Sequence, residues 1–261
     1  MSPLVNYETR DGIAVLELHN PPANAYSYDM FRELDEAILR ARMDDGVHVI
    51  LVRGAGDKFF CAGADIEMLE RSSASYKYYF CLHANETLLR LEHTPKLVIA
   101  AINGHCVGGG LEVAMAADLR VAAAGGGKLG LPEIGLGVLP GTGGTQRLSR
   151  LVGSAKAIEL MTTGERIGVE AAASLGLVTE VLSGDDFTES ALSYARGFCP
   201  PGRAAKAAGY IKRAVKTGSE IPLESGLALE RELQQQLFRS DDAAEGLAAF
   251  SAKRPPSFSG S

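Results

Sequence analysis

The chain has no tryptophan, and aromatic residues of all kinds fill only 7% of its 261 positions. Glycine, by contrast, contributes 30 residues, above average usage, so many backbone positions are expected to need a positive φ or a close approach. A basic excess is also missing. With 26 Lys and Arg against 32 Asp and Glu the net charge is −6, which leaves nothing to hold a nucleic-acid backbone and makes DNA and RNA poor partners. The four cysteines, Cys61, Cys81, Cys106 and Cys199, form no CxxC pair and join the five histidines in no metal-like cluster, so neither a disulfide framework nor a metal site is expected. Long apolar runs are absent too: the longest clear one, Leu97 to Ile102, is far too short to span a bilayer. The first eight residues carry neither a basic region nor an apolar one, and the expectation is a cytoplasmic protein without a membrane partner.

What is present is an apolar content of 46%, enough for a sizeable core and incompatible with disorder as the main state. Gly12 to Leu18 reads as a strand, interrupted by the turn-forming Asn20-Pro21-Pro22-Ala23-Asn24. Ser27 can cap a helix in which Met30, Phe31, Leu34, Ile38 and Ala41 share a face. Strands are expected at Val47 to Val52, Leu97 to Ile102 and Leu119 to Val121, alternating with helices near Tyr76 to Leu91 and Glu112 to Ala117. Such alternation predicts an α/β fold. From Phe187 onward the pattern is helical, with Ala205, Ala208, Ile211 and Val215 on one face and Leu223, Leu227, Leu233 and Leu237 on another. We place a core at 1–195 and a helical region at 196–261. A capping box at Asp242 and Glu245 starts a last helix, and Ser257 to Ser261 is expected to be loose.

Two glycine-rich turns follow strand-like runs and lead toward helices: Phe60-Cys61-Ala62-Gly63-Ala64-Asp65, and Asn103-Gly104-His105-Cys106-Val107-Gly108-Gly109-Gly110-Leu111-Glu112. Small residues there let a ligand approach backbone N–H groups, and a helix N-terminus adds partial positive charge, which suits an anion or a developing oxyanion. The same glycines would also serve simply as tight turns. Glu112 opens an otherwise apolar stretch and Glu133 sits between apolar neighbours, so two carboxyl groups in apolar surroundings point to acid/base work. The GxGxxG match at Gly125 to Gly130 is set aside, because Pro132 interrupts the helix a dinucleotide site requires. His105 beside Cys106 lacks an orienting acid, and Cys61, Cys81 and Cys106 are read as buried small hydrophobes.

Together these residues resemble the crotonase superfamily, and within it the enoyl-CoA hydratases. The resemblance runs along nearly the whole chain, through Asn20 to Ala25, Phe60 to Ile66, Gly108 to Glu112, Leu131 to Ile134 and Pro140 to Leu148. It implies a spiral of ββα units with a helical trimerisation region, assembled as a trimer or a dimer of trimers. It further implies that Ala64 and Gly109 offer their N–H groups to a thioester oxygen. Ala62, Gly63, Asp65 and Ile66 would border coenzyme A, and Gly141 would help to position a water. Glu112 and Glu133 fall on the two positions that hydrating members fill with glutamate. Two departures stand out: one extra residue between the glutamates, at Ala124 to Gly127, and Glu67 where many relatives are basic.

The expected activity is reversible addition of water to a 2-enoyl-CoA, giving a 3-hydroxyacyl-CoA. Coenzyme A enters as part of the acyl-CoA thioester substrate, and no cofactor is expected. An enoyl-CoA isomerase or another lyase of this fold, and a binding protein without turnover, are the alternatives; depletion of crotonyl-CoA absorbance separates them. By the same resemblance, Phe250 and Lys253 would close over coenzyme A held by a neighbouring subunit.

Overall fold

Alternate side chains of the apolar runs enter two different cores. In the computed structural model, which describes residues 2–261, the strands are β1 (Val5–Arg10), β2 (Ile13–Leu18), β3 (Val49–Gly54), β4 (Phe59–Cys61), β5 (Leu97–Ile102), β6 (His105–Val107), β7 (Leu119–Ala123), β8 (Lys128–Gly130), β9 (Ile167–Gly168) and β10 (Glu180–Leu182). They form one sheet of order β1-β2-β3-β5-β7-β10 and a smaller one of order β4-β6-β8-β9. All pairings in the larger sheet except β1 with β2 are parallel. Ala14, Leu16, Ile50, Val52, Val98 and Ala100 point into one core, while Ile13, Val15, Val49, Leu51, Ile99 and Ala101 point into the other. Burial on both faces is why these strands are continuously apolar.

The helices are α1 (Tyr28–Met43), α2 (Ile66–Arg71), α3 (Ala74–Glu92), α4 (Gly109–Ala116), α5 (Gly144–Val152), α6 (Ser154–Thr163), α7 (Val169–Ser174), α8 (Phe187–Arg196), α9 (Ala205–Gly218), α10 (Leu223–Leu237) and α11 (Asp241–Ser251), with a 3-10 turn at Glu133–Leu136. Ser27 caps α1 as expected, accepting from the Met30 N–H. Each of β3, β5 and β7 runs in the larger sheet and is followed by a short strand of the smaller one, β4, β6 or β8, before a helical segment returns. That is a spiral of ββα units. Its consequence is that β4 and β6, lying parallel and adjacent, deliver their C-terminal ends, and hence both glycine turns, to one place.

The remaining face of the larger sheet is covered by α8 through Ala191, Leu192 and Ala195. The expected boundary at 195/196 therefore falls on the last residues of a helix that packs on the core. Farther on, the expected face of α9 is partly wrong. Ala205 is buried, but so are Gly209 and Lys212, whereas Ile211 and Val215 are 62% and 65% exposed. An ion pair decides it: Lys212 Nζ lies 2.9 Å from Asp118 and donates to the Lys96 carbonyl at 3.0 Å. On α10, likewise, Leu233 is buried while Leu223 and Leu227 are exposed.

Two readings of the C-terminus are corrected. The cap of α11 is Ser240, which accepts from the Ala243 N–H, and not a box formed by Asp242 and Glu245. The Asp242 carboxylate, nearly inaccessible, accepts instead from the N–H groups of Ser259 at 2.7 Å and Gly260 at 3.0 Å, so the tail is tied down. β1 was not anticipated, although Val5, Tyr7 and Thr9 alternate with Asn6, Glu8 and Arg10. Among the described residues no helix is long and apolar enough to cross a membrane.

Candidate active site

Two buried asparagines hold the approach to the first glycine turn. Asn24 donates to the carbonyls of Ala55 and Phe59, both at 3.0 Å, and Asn103 donates to those of Gly54 at 3.1 Å and Gly56 at 2.6 Å. Buried amides of this kind satisfy loop carbonyls that no sheet partner reaches. The loop between β3 and β4 is thereby fixed, and the turn at Ala62 to Ala64 with it. Tyr26 brackets that turn from the other side: its N–H donates to the Gly63 carbonyl and its carbonyl accepts from the Asp65 N–H, each at 2.9 Å.

The second turn meets the first. A Cβ added to Gly63 would lie 3.1 Å from the Gly109 nitrogen, so the turns are in contact. Gly109 is the first residue of α4 and Ala64 lies just before α2. Among the described residues nothing accepts from the N–H of Ala64 or of Gly109. Both also line a cavity of about 760 Å³. Unspent N–H groups, one at the head of a helix, are what a negatively charged oxygen requires.

One turn into α4, Glu112 is 2% exposed and accepts three hydrogen bonds. Its Oε1 accepts from the N–H groups of Thr142 at 2.8 Å and Gly144 at 2.6 Å, and its Oε2 accepts a short hydrogen bond from the Thr142 hydroxyl. Burial pushes this carboxyl above the ordinary range, and the three donors, with the charge of Arg147, pull it back. Glu133 heads the 3-10 turn and is half-buried, and its Oε2 has no protein partner. Burial raises its pKa to about 7; its own N–H opposes the shift and the charge of Glu112 adds to it. Two carboxyl groups thus face one cavity, both raised by burial and unlike in their hydrogen bonding, the arrangement acid/base chemistry uses.

Of the residues expected to form a site, Ala62, Gly63, Ala64, Ile66, Gly109, Glu112, Glu133 and Gly141 all line this cavity. Asp65 does not; its carboxylate caps α2 by accepting from the Met68 N–H at 3.2 Å. Phe250 and Lys253 lie at the end of α11, exposed and outside the cavity of their own chain, with Phe250 86% accessible. Cys81, read as a buried hydrophobe, is half-buried and lines the cavity. The two departures from the family pattern are peripheral: Glu67 pairs with Arg71 on the surface, and none of residues 124–127 borders the cavity.

Sequence reasoning missed Tyr26, Leu69, Glu70, Lys77, Leu136, Val138, Leu139, Thr142 and Arg166, which belong to the wall together with Phe80. Thr142 could have been found, since it sits in the same segment as Gly141. The apolar wall could not, because its residues come from α2, the 3-10 turn and the loop after it, and only the fold brings those together.

Known proteins resemble this chain over nearly its whole length. The model of the enoyl-CoA hydratase/isomerase family matches residues 8–261. A probable enoyl-CoA hydratase of Bacillus subtilis is 40% identical over 250 residues, covering 95% of each chain. The short-chain-enoyl-CoA hydratase of Clostridium acetobutylicum is 36% identical over 95% of this chain and 94% of its own. A solved enoyl-CoA hydratase structure from Geobacillus kaustophilus superposes with a TM-score of 0.96 at 42% identity, covering 100% of this chain and 98% of that one. On the family match and on relatives of this similarity over nearly their full length, the chain belongs to the enoyl-CoA hydratase/isomerase family.

Proposed function

We propose that the protein is a hydro-lyase adding water reversibly across the double bond of a 2-enoyl-CoA. The observation that carries this reading is the pairing, across one cavity, of two unspent N–H groups with two carboxyl groups that differ in their hydrogen bonding. The names of relatives agree, among them a crotonyl-CoA hydratase of Syntrophomonas wolfei at 35% identity.

In this reading the thioester oxygen sits on the Ala64 and Gly109 N–H groups, so that charge arriving from the β-carbon is stabilised where it accumulates. Removing one such donor typically slows acyl chemistry by about a hundredfold to a thousandfold. Water bonds to the β-carbon and gives its proton to Glu112, whose Oε2 retains room for it beside the Thr142 hydroxyl. Glu133, protonated at its partnerless oxygen, delivers its proton to the α-carbon. One water is added, and a proton passing from Glu112 to Glu133 through the next water resets the pair. Gly141 borders the water. The acyl group lies against Phe80 and Leu139, and the coenzyme A moiety leaves the cavity along Ala62, Gly63 and Ile66. Lys253 and Phe250, being exposed and remote from their own cavity, suit closure over a neighbour's coenzyme A in a homotrimer or a dimer of trimers.

Incubation with crotonyl-CoA tests the reading, because hydration removes the absorbance of the conjugated thioester. Loss of that signal with formation of 3-hydroxybutyryl-CoA is expected. An intact signal with short and medium enoyl-CoA substrates, or a shifted double bond in place of a hydroxyl product, contradicts it.

A further inference from the structure

Thr142 spends every polar group it has around Glu112. Its N–H and hydroxyl both donate to that carboxylate, and its carbonyl accepts from Arg147 Nη1 at 3.1 Å. Because the Thr142 proton is committed to Glu112, the contact between its oxygen and the Tyr26 hydroxyl, at 3.5 Å, is one in which Tyr26 donates. Arg147 is held in turn. Its Nη2 and Nε reach Glu92 Oε2 at 2.9 and 3.2 Å, and Glu92 Oε1 accepts from Lys216 of α9 at 3.1 Å. The guanidinium lies so close over Gly143 that a Cβ at that residue would be 2.0 Å from Nη1. A loop of small residues is thus fastened on its outer side by an ion pair and on its inner side by a carboxylate.

We propose that Thr142 and Arg147 form a positioning clamp that holds Glu112 in its base-competent geometry. The inference rests on the role given to Glu112 above. Glu112 lies one turn into α4 and has no strong donor of its own; all three of its hydrogen bonds come from residues 142–144. If that loop moved, an inaccessible carboxylate would lose its partners and take up a proton. Arg147 is the group that stops the loop from moving, because it ties the Thr142 carbonyl to α3 through Glu92 and, through Lys216, to the C-terminal helices. A lysine cannot hold Glu92 and the carbonyl together in the same fork geometry. The titratable and charged groups facing Glu112 are Glu133 from the 3-10 turn, Arg147 from α5, the Tyr26 phenol from the loop before α1 and the Cys81 thiol from α3. Thr142→Val leaves Glu133, Arg147 and Cys81 in place and takes from Tyr26 only its 3.5 Å contact, and Arg147→Lys keeps the positive charge.

The test compares Thr142→Val, Thr142→Ser and Arg147→Lys by the pH dependence of kcat for hydration, with circular dichroism and Tm as controls for folding. Removing a donor to the carboxylate form raises the Glu112 pKa, and the base must be ionised. The acidic limb should therefore move to higher pH in Thr142→Val and Arg147→Lys, with kcat lowered about tenfold and KM changed less than about twofold, the weight expected of a hydrogen bond to a charged group. Thr142→Ser keeps the hydroxyl and should restore the limb. Lower rates with an unmoved limb in both Thr142→Val and Arg147→Lys overturn the clamp, as does a limb that moves equally in Thr142→Ser. Glu112→Gln is assayed alongside. Near-normal turnover there removes the base role itself, whereas an inactive Glu112→Gln with unmoved limbs in the others removes only the clamp.

Discussion

The two carboxyl groups of the cavity are seated in opposite ways. Glu112 stands on a regular helix, inaccessible to solvent and holding three donors, while Glu133 stands on a single 3-10 turn, half-buried, with one oxygen free of protein partners. Burial raises both, yet only at Glu112 do donors from a neighbouring loop pull the shift back. The difference teaches that a shared cavity does not impose a shared hydrogen-bond environment: donors act on each carboxyl group separately. A fixed carboxylate suits the acceptance of a proton from water. One that titrates near neutrality suits the delivery of a proton to carbon.

The largest effects should come from removing either group's charge. Glu112→Gln and Glu133→Gln are each expected to lower kcat by about a hundredfold or more in the crotonyl-CoA assay, as loss of a positioned acid or base does. Near-normal turnover in either variant would remove it from the chemistry. Next in size is the pH dependence. In this assignment each direction starts from a carboxyl pair that holds one proton, and the overall reaction takes up none, so kcat/KM for hydration and for dehydration should fall together as pH rises through about 7. A kcat/KM for hydration that stays flat or rises through that interval would break the assignment.

A smaller contrast lies in stability. Glu112→Ala leaves buried donors from Thr142 and Gly144 without an acceptor and should cost about 1–3 kcal/mol in denaturant melts. Glu133→Ala leaves no such donor behind. Because the folded-state pKa of Glu133 lies above its unfolded value, its contribution to stability declines as pH rises from about 4.5 to about 7. Wild type should accordingly lose stability relative to Glu133→Gln across that window, and a parallel pH dependence of the two melts would contradict the raised pKa. Smallest of all, Lys253→Ala should raise KM for the acyl-CoA a few-fold with kcat and both pH limbs unchanged, since an exposed cation remote from the carboxyl groups can act on binding alone. A point change is preferable to truncation here, because deleting the tail would also strip the Asp242 carboxylate of its partners.

Much of this was legible in the chain because apolar periodicity and glycine spacing are local signals. β5 was read to the residue, Ser27 was placed as a cap, and Glu112 was identified by its apolar neighbours. The ββα repeat was not visible as a sequence repeat, since successive units share an architecture and not a set of side chains. The exposed face of α9 was misread because Lys212 turns inward to an aspartate on another element, and periodicity treats lysine as surface. The tail was misread for a similar reason: Asp242 fits a capping pattern, but its actual partners are seventeen and eighteen residues away. Thr142 and Arg147 were visible as part of a motif, yet their relation to Glu112 depends on how α4, α5 and the loop between 140 and 144 meet.

The division of labour between the two carboxyl groups is tested most directly by proton exchange without hydration. Butanoyl-CoA has an α-proton but no double bond to hydrate, so its exchange in D2O, followed by proton NMR, requires only the N–H pair and the group that serves the α-carbon. The account predicts that wild type and Glu112→Gln both wash out the α-proton while Glu133→Gln does not. Exchange that survives in Glu133→Gln, or that vanishes in Glu112→Gln alone, would contradict it.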